Sequence, residues 1–266
     1  MISPAGASHR FDSRAAAHEP LLSIVCAVRN GQATLRQLID SYAEQQTSQT
    51  ELLVIDALST DETWAIVQAR RGTVAAALSE SDRGIYDAWN KALPLCHGRY
   101  VAFIGCDDRL APGALQALSV AIGASPLDAA DAPHVIAGFN VLTRQGIPVS
   151  LLGEDFHLPR LPRRLMIAHV MAAHDRSWLI RAGGYDSSFR ATGDYELLLR
   201  ERDGLRVRTL PAILAFMEDG GTSRQRWMPH LENFRARQKA RLGTLLSIWL
   251  FIRAVGFNML RMLRLK

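Results

Sequence analysis

The chain reads as an α/β domain on a mixed, mainly parallel sheet flanked by helices, followed by an amphipathic helical tail. Three observations predict this. Short apolar runs alternate with amphipathic stretches from residue 21 onward, the order produced by right-handed strand-helix-strand crossovers. Tyr100–Ile104 is apolar without a break, as a strand covered on both faces must be. Successive strand ends carry acids, namely Asp56, Asp82 and the pair Asp107-Asp108. Ligands of such sheets sit outside the carboxyl ends of the strands, so these acids share one functional rim.

With 266 residues, 48% of them hydrophobic, the chain can bury a substantial core, and disorder is not expected. Its net charge of +5 is unevenly placed: between Arg224 and Lys266 ten Lys or Arg face the single acid Glu232. That end is therefore expected to meet something anionic. Cys26, Cys96 and Cys106 form neither a disulfide framework nor a zinc spacing, which suits a reducing cytosol. Residues 1–20 lack the apolar core of a signal peptide and read as a flexible leader. No run of eighteen apolar residues is present, so a conventional spanning helix is not expected.

The first strand is Leu21–Val28, stopping at Arg29-Asn30-Gly31 before a helical pattern of Leu35, Leu38, Ile39 and Tyr42. The second is Glu51–Ile55, with Asp56 at its end and capping-box spacing in Ser59-Thr60-Asp61-Glu62. Thr73–Leu78 is the third, leading through Asp82-Arg83-Gly84 into a helix over Ile85–Leu95. After Tyr100–Ile104 and a helix over Ala114–Ile122, His134–Thr143 and Ile147–Leu152 read as a hairpin about Gln145-Gly146. A basic loop follows at Arg160, Arg163 and Arg164. Asp194 and Glu196 stand at the mouth of a helix, where the dipole favours acids, and Glu196 reads as a cap. The last strand pair is Leu205–Leu210 and Ile213–Met217, ending before Gly220-Gly221-Thr222-Ser223. The domain is drawn as residues 21–228 and the tail as 229–266.

Adjacent carboxylates repel unless a cation lies against them, and hard cations such as Mg²⁺ or Mn²⁺ take oxygen ligands. Asp107 and Asp108 at a strand end therefore suit a metal-diphosphate, although the pair also suits a turn before Pro112-Gly113.

In order and spacing, several segments resemble the family 2 inverting glycosyltransferases of the GT-A fold over roughly Leu22–Ser223. They are Ser23-Ile24-Val25 to Asn30, Val54-Ile55-Asp56, Asp82-Arg83-Gly84-Ile85-Tyr86-Asp87-Ala88-Trp89-Asn90-Lys91-Ala92, Asp107-Asp108, Asp194-Tyr195-Glu196 and Gly220-Gly221-Thr222-Ser223. The branch most similar assembles bacterial exopolysaccharide, O-antigen or colanic-acid-like repeats. The resemblance implies a nucleotide-diphosphate sugar donor, with UDP the expected nucleotide, and a glycan or lipid-linked acceptor. It implies that Asn30, Asp56, Asp82, Arg83 and Asp107 bind the donor, that Asp107 and Asp108 hold Mn²⁺ or Mg²⁺ with Asp108 the direct ligand, that Asp194 is the general base, and that His174 lies on the acceptor side. Asn90 and Lys91 either touch the nucleotide or only face solvent.

Departures from the pattern bear on these expectations. Ala57 and Leu58 replace an acid or glycine common in relatives, and Arg109, following the acid pair, stands where it would partly neutralise the metal site. The Gln-x-x-Arg-Trp motif of processive synthases is absent, Gln225-Arg226-Trp227 matching only in composition, so one sugar per encounter is expected. A sugar nucleotidyltransferase would carry a Gly-rich phosphate loop, whereas Val28–Ala33 holds a single glycine. A catalytically degenerate scaffold remains the other alternative. Nucleic acid is not an expected partner, because the tail's arginines are interleaved with Leu, Ile, Met and Phe. On a helix from Leu242, Arg253 and Arg264 fall about 20° apart and Arg261 about 80° from Arg253, forming one basic side. Trp249, Phe251 and Phe257 would then sit at a headgroup boundary, placing the enzyme peripherally on the inner face of the cytoplasmic membrane.

Overall fold

The computed structural model describes residues 8–14, 19–125, 131–220 and 227–263. Its centre is a run of parallel strands, β2 (Leu22–Val28), β3 (Thr50–Asp56), β4 (Val74–Ser79) and β5 (Tyr100–Gly105). Strand β2 pairs with β3 on one side and β5 on the other, both parallel and in continuous register. The chain thus moves outward from β2 through β3 to β4, then returns across β2 to lay down β5. That reversal of strand order opens a crevice at the carboxyl ends, where Asn30, Asp56 and Asp107-Asp108 emerge. Unbroken apolar runs suit these strands because both faces are covered: every residue of β3 is buried, as are Tyr100–Ile104 of β5.

The covering helices show their buried faces in sequence. Helix α1 (Leu35–Ala43) buries Leu35, Leu38, Ile39 and Tyr42, and α2 (Thr63–Ala69) buries Ile66 and Val67. On the opposite face, α3 (Ile85–Ala92), continued by a 3₁₀ turn at Leu93–Leu95, buries Tyr86, Ala88, Trp89 and Ala92. The expected capping box before α2 is not formed. Asp61 instead accepts from the backbone N–H of Thr63 (3.0 Å) and of Gln32 (3.1 Å), so the residue joins two loops rather than closing one helix.

Beyond β5 the sheet becomes mixed. Its order is β1-β4-β3-β2-β5-β9-β7-β10-β6, with β8 on β7, where β1 is His9–Asp12, β6 Arg109–Leu110, β7 Val135–Arg144, β8 Ile147–Leu152, β9 Ala173–Asp175 and β10 Val207–Glu218. The hairpin about Gln145-Gly146 is present, both residues having positive φ. The expected last strand pair is one strand. Pro211 supplies no N–H, so the ladder from β7 is interrupted between Thr209 and Ile213 and resumes beyond a bulge. Gly138 faces that bulge, and a Cβ on it would stand 2.6 Å from the Ala212 carbonyl oxygen.

Both ends of the drawn domain need correction. Part of the leader is structured: β1 (His9–Asp12) adds antiparallel to the outer edge of β4. It is pinned by Arg14, whose guanidinium meets buried Glu51 at 2.8 Å and the Leu95 carbonyl at 2.7 Å. The rest of the leader, residues 1–7 and 15–18, lies outside the described residues. At the other end, α7 (Met228–Lys239) is not a tail. It buries Glu232, Ala236 and Arg237 against α6 (Gly193–Arg200) and the segment before it, while Lys239 pairs with Glu196 at 2.8 Å. Glu196 is accordingly no cap but a buried anion, 1% exposed, shared by Lys239 and Arg200. Helix α8 (Thr244–Leu263) packs on α7, burying Ser247 and Leu250, and exposes Leu245, Ile248, Trp249 and Ile252.

Candidate active site

A cleft of about 710 Å³ opens over the carboxyl end of β5. One wall carries Asp107, Asp108 and Glu218, another Tyr86, Trp89 and His169, and a third Arg190, Ala191 and Asp194.

Gly105 is what lets the acid pair form. The chain turns so tightly after β5 that a Cβ at this position would stand 2.7 Å from Asp107 Oδ1 and 2.9 Å from Asp108 Oδ2. Asp107 is exposed, while Asp108 is buried and accepts from the backbone N–H groups of Gly105 and Glu218, each at 3.2 Å. Burial, then the charge of Asp107, pushes the Asp108 carboxyl up to about 7, with Glu218 adding to the effect. Anionic groups crowded this way call for a cation. No cluster of three or more His, Cys, Asp or Glu at metal-holding spacing occurs among the described residues. Two hard oxygen donors fit Mn²⁺ or Mg²⁺ when diphosphate oxygens and water complete the shell, as is usual for Mg²⁺. Arg109 does not neutralise this end: its guanidinium lies over the Phe216 ring, 4.7 Å from the centroid, and lines a separate groove with Arg36 and Asp40.

The remaining donor-side residues hold the rim together. Asp56 is fully buried and accepts from Ser59 N–H (3.2 Å), Ser59 Oγ (2.5 Å) and Ser79 Oγ (2.5 Å). It struts the ends of β3 and β4 through these bonds. Asn30, at φ 53°, donates from its backbone to Ser59 Oγ at 2.7 Å and accepts from Thr60 N–H at 2.9 Å, locking the β2 turn to the β3 turn. Asp82 is half-buried, its carboxyl raised by burial, and accepts from Gly84 N–H at 2.9 Å. Arg83 is exposed and pairs with Asp87 at 2.8 Å. Of these four, none is among the residues lining the cleft. Asn90 makes both hydrogen bonds to the backbone of Tyr185, at 2.7 and 2.9 Å, and Lys91 pairs with Glu80 at 2.8 Å, so both brace the fold here.

Asp194 enters the cleft from the first turn of α6, where the helix dipole favours an anion. Burial nevertheless raises its carboxyl to about 6, against the opposing backbone N–H donors and the Tyr86 hydroxyl, which donates at 3.4 Å. It is thus a stronger base than an ordinary carboxylate while remaining mainly ionised at neutral pH.

His174 lies in β9, 1% exposed, and burial followed by the nearby His169 lowers its pKa to about 3, so it is a neutral residue standing behind His169, their ring centroids 5.1 Å apart, and does not itself line the cleft. The histidine that does line the cleft is His169, whose ring centroid is 5.1 Å from that of Trp89. Residue typing alone could not separate two histidines five positions apart. The strand register does, since His174 pairs with Val101 in the middle of the sheet. Sequence reading also missed Arg190, Glu218 and Glu232. Gly221-Thr222-Ser223 and Gln225-Arg226 lie outside the described residues, as does Arg264.

The sequence matches the family described as Glycosyl transferase family 2 over residues 23–171, more than half of the chain and the whole of the parallel strand rim. A PGL/p-HBAD biosynthesis glycosyltransferase of Mycobacterium bovis is 27% identical over 210 residues, covering 77% of this chain and 79% of that protein. Among solved structures, S. aureus TarS 1-349 in complex with UDP-GlcNAc has a TM-score of 0.65 at 17% identity, over 86% of this chain and 70% of that one. A mannosyltransferase from Pyrobaculum calidifontis in complex with GDP-Man and Mn²⁺ has a TM-score of 0.59 at 17% identity, over 91% of this chain and 76% of that one. An acid-tipped parallel rim with this family match, on a sheet shared with those transferases, makes the chain a GT-A protein that belongs to glycosyl transferase family 2.

Proposed function

We propose that this transferase moves a single sugar from a nucleotide-diphosphate sugar, a UDP-sugar, to a hydroxyl of a lipid-linked or polysaccharide-precursor glycan, with inversion at the anomeric carbon. The observation that carries the reading is one cleft lined both by Asp107 and Asp108 and by Asp194 on a separate wall. Such a cleft suits a single displacement. The acceptor oxygen bonds to the anomeric carbon from the face opposite the leaving group, the bond to the diphosphate breaks, and Asp194 takes the hydroxyl proton. Asp107 and Asp108 would hold Mn²⁺ or Mg²⁺, which when bound supplies Lewis-acid neutralisation of charge on the departing diphosphate. The solved relatives carrying UDP-GlcNAc or GDP-Man with Mn²⁺ support a nucleotide-sugar donor for this fold.

An acceptor with an apolar part is supported by β8, where Ile147, Val149 and Leu151 are exposed on one face and Leu151 also lines the cleft. We read α8 as the contact with an anionic membrane surface, holding the protein peripherally at the inner face of the cytoplasmic membrane. Its exposed Trp249 and Ile252 and the Arg253 guanidinium over the Trp249 ring support this, while no described helix is long and apolar enough to cross a membrane. Phe251, expected at the headgroups, packs instead against Phe234, with ring centroids 5.9 Å apart.

The test is a thermal-shift panel of UDP-, GDP- and TDP-sugars with Mn²⁺, followed by transfer to a prenyl-diphosphate sugar acceptor with the anomeric product read by NMR. A UDP-sugar that raises Tm and yields the inverted product is the expected result. Retention of configuration would overturn the mechanism, and donor binding without transfer to any acceptor would point to a degenerate scaffold.

A further inference from the structure

Between Phe189 and α6 the chain makes a short segment, Arg190-Ala191-Thr192, that supplies the cleft wall beside Asp194. Three successive N–H groups of this segment point the same way, an arrangement that forms an anion-binding concavity. The anion they hold belongs to α7. Glu232 accepts from Arg190 N–H at 2.7 Å through Oε1, and from Ala191 N–H at 2.8 Å and Thr192 N–H at 2.9 Å through Oε2, with Thr192 Oγ1 adding a contact at 3.4 Å. Glu232 is 8% exposed. A buried charge is tolerated only where donors satisfy it, and charge-assisted bonds of this number hold a backbone more firmly than neutral ones. Thr192, the N-cap of α6, makes no side-chain capping bond, so Glu232 is what orders the approach to that helix. Gly193 follows immediately, packed so closely on the Tyr86 ring that a Cβ would stand 2.8 Å from it. Asp194 is next.

We propose that Glu232 is a positioning residue for transfer: by fixing the backbone of Arg190-Ala191-Thr192 it sets where the Asp194 carboxylate stands in the cleft. The inference rests on the reading of Asp194 as general base. It assigns a catalytic consequence to a helix that shares no strand with the nucleotide rim. Placement matters at this level because a displacement of about 1 Å can cost a reaction about 100-fold.

The experiment uses the full chain and four variants, Glu232→Gln, Glu232→Ala, Asp194→Asn and, as a control for the docking of α7, Arg202→Ala. Arg202 donates to the Ala240 carbonyl at 2.9 Å at the far end of α7 and is not among the residues lining the cleft. Steady-state transfer, donor affinity by calorimetry and Tm are measured on each. Glu232→Ala is expected to lower kcat by about 30-fold or more with donor Kd within about threefold, because the defect lies in the base's placement. Glu232→Gln keeps one carbonyl oxygen for the Ala191 and Thr192 donors but loses the charge and the second acceptor, and is expected to lower kcat by about three- to tenfold. Arg202→Ala is expected to lower Tm and leave kcat within about twofold. Should the Ala variant fail to fold, the isosteric Gln variant decides. A Gln variant with parental kcat, alongside an inactive Asp194→Asn, would overturn the positioning role alone. An Asp194→Asn enzyme that still transfers would overturn the base reading, and this proposal with it.

Discussion

The half read as the nucleotide side, β2 to β5, and the half we propose for the acceptor, β7 to α7, build their parts of one cleft by opposite means. In the first, functional acids are placed by the ends of their own strands and braced by loops nearby: Asn30 locks to Ser59 and Thr60, and Asp108 is held by Gly105. In the second, placement comes from far along the chain. Glu218 donates its N–H to Asp108 at a sequence separation of 110, and Glu232 holds Thr192 at a separation of 40. The first half is a rim braced by the loops beside its own strand ends. The second is a set of cross-braces whose loss should act on catalysis before it acts on folding.

The largest effect that distinguishes the halves is expected at Asp194. Asp194→Asn should reduce transfer by about 1,000-fold while donor affinity stays within about twofold, since a general base contributes on the order of 10²–10⁴ and acts in the transition state. Calorimetry and a transfer assay on one preparation check this. A matching loss of donor affinity would move Asp194 into the nucleotide half.

Asp108→Asn makes the complementary break. Removing one anionic oxygen donor is expected to weaken Mn²⁺-dependent UDP binding by about 100-fold, whereas the apo protein's Tm should not fall, because Asp107 and Glu218 crowd the same buried carboxylate. UDP binding equal to the parent's in the presence of Mn²⁺ would exclude the acid pair from metal binding.

A smaller effect follows from pH. Burial raises the Asp194 carboxyl from 3.8 to about 6. A base must be ionised to act, so kcat should fall as pH drops through about 6 and be about tenfold lower near pH 5. The sign for stability is the reverse: the folded form holds this proton more tightly than the unfolded chain, so this group's contribution improves as pH falls through 6 toward 4. A rate flat down to pH 5 would leave Asp194 with an ordinary carboxylate's pKa and remove burial as the tuning force.

How far the sequence could be read follows from the same contrast. The strands of the first half were legible because a doubly covered strand must be apolar throughout and its helix must alternate, so both constraints are local. Asp107 and Asp108 were legible for the same reason, standing at the end of such a run. The burial of Asp56 and His174 is not legible, because it depends on which strands flank them: β4 supplies the Ser79 hydroxyl that closes over Asp56, and β5 buries His174. Pro211 was read as a gap between two strands because a bulge and a turn have the same local signature, and only the parallel partner β7 distinguishes them. The boundary at residue 228 failed because Glu232 is one acid among many bases in the sequence, and nothing near it announces three backbone donors 40 to 42 residues earlier.

The corrected boundary gives the last and mildest test, which cuts the C-terminal region at two places. Helix α7 is bound into the catalytic body by Glu232, by Arg237 donating to the Pro162 and Arg163 carbonyls at 3.0 and 3.1 Å, and by Lys239. Helix α8 leaves Leu245, Ile248, Trp249 and Ile252 exposed, an apolar face whose burial needs an outside surface. A chain ending at Arg241 should therefore keep its fold and nucleotide affinity, yet lose about tenfold or more of its binding to anionic liposomes, the full chain's binding weakening with salt. A chain ending at Trp227 should in addition lose Tm and transfer together, since it strips the carboxylate from the Asp194 approach. Sedimentation with anionic and with neutral vesicles separates lipid from the alternative of a second subunit on α8. Unchanged vesicle binding after removal of residues 242–266 would shift the contact to the exposed basic loop at Arg160, Arg163 and Arg164.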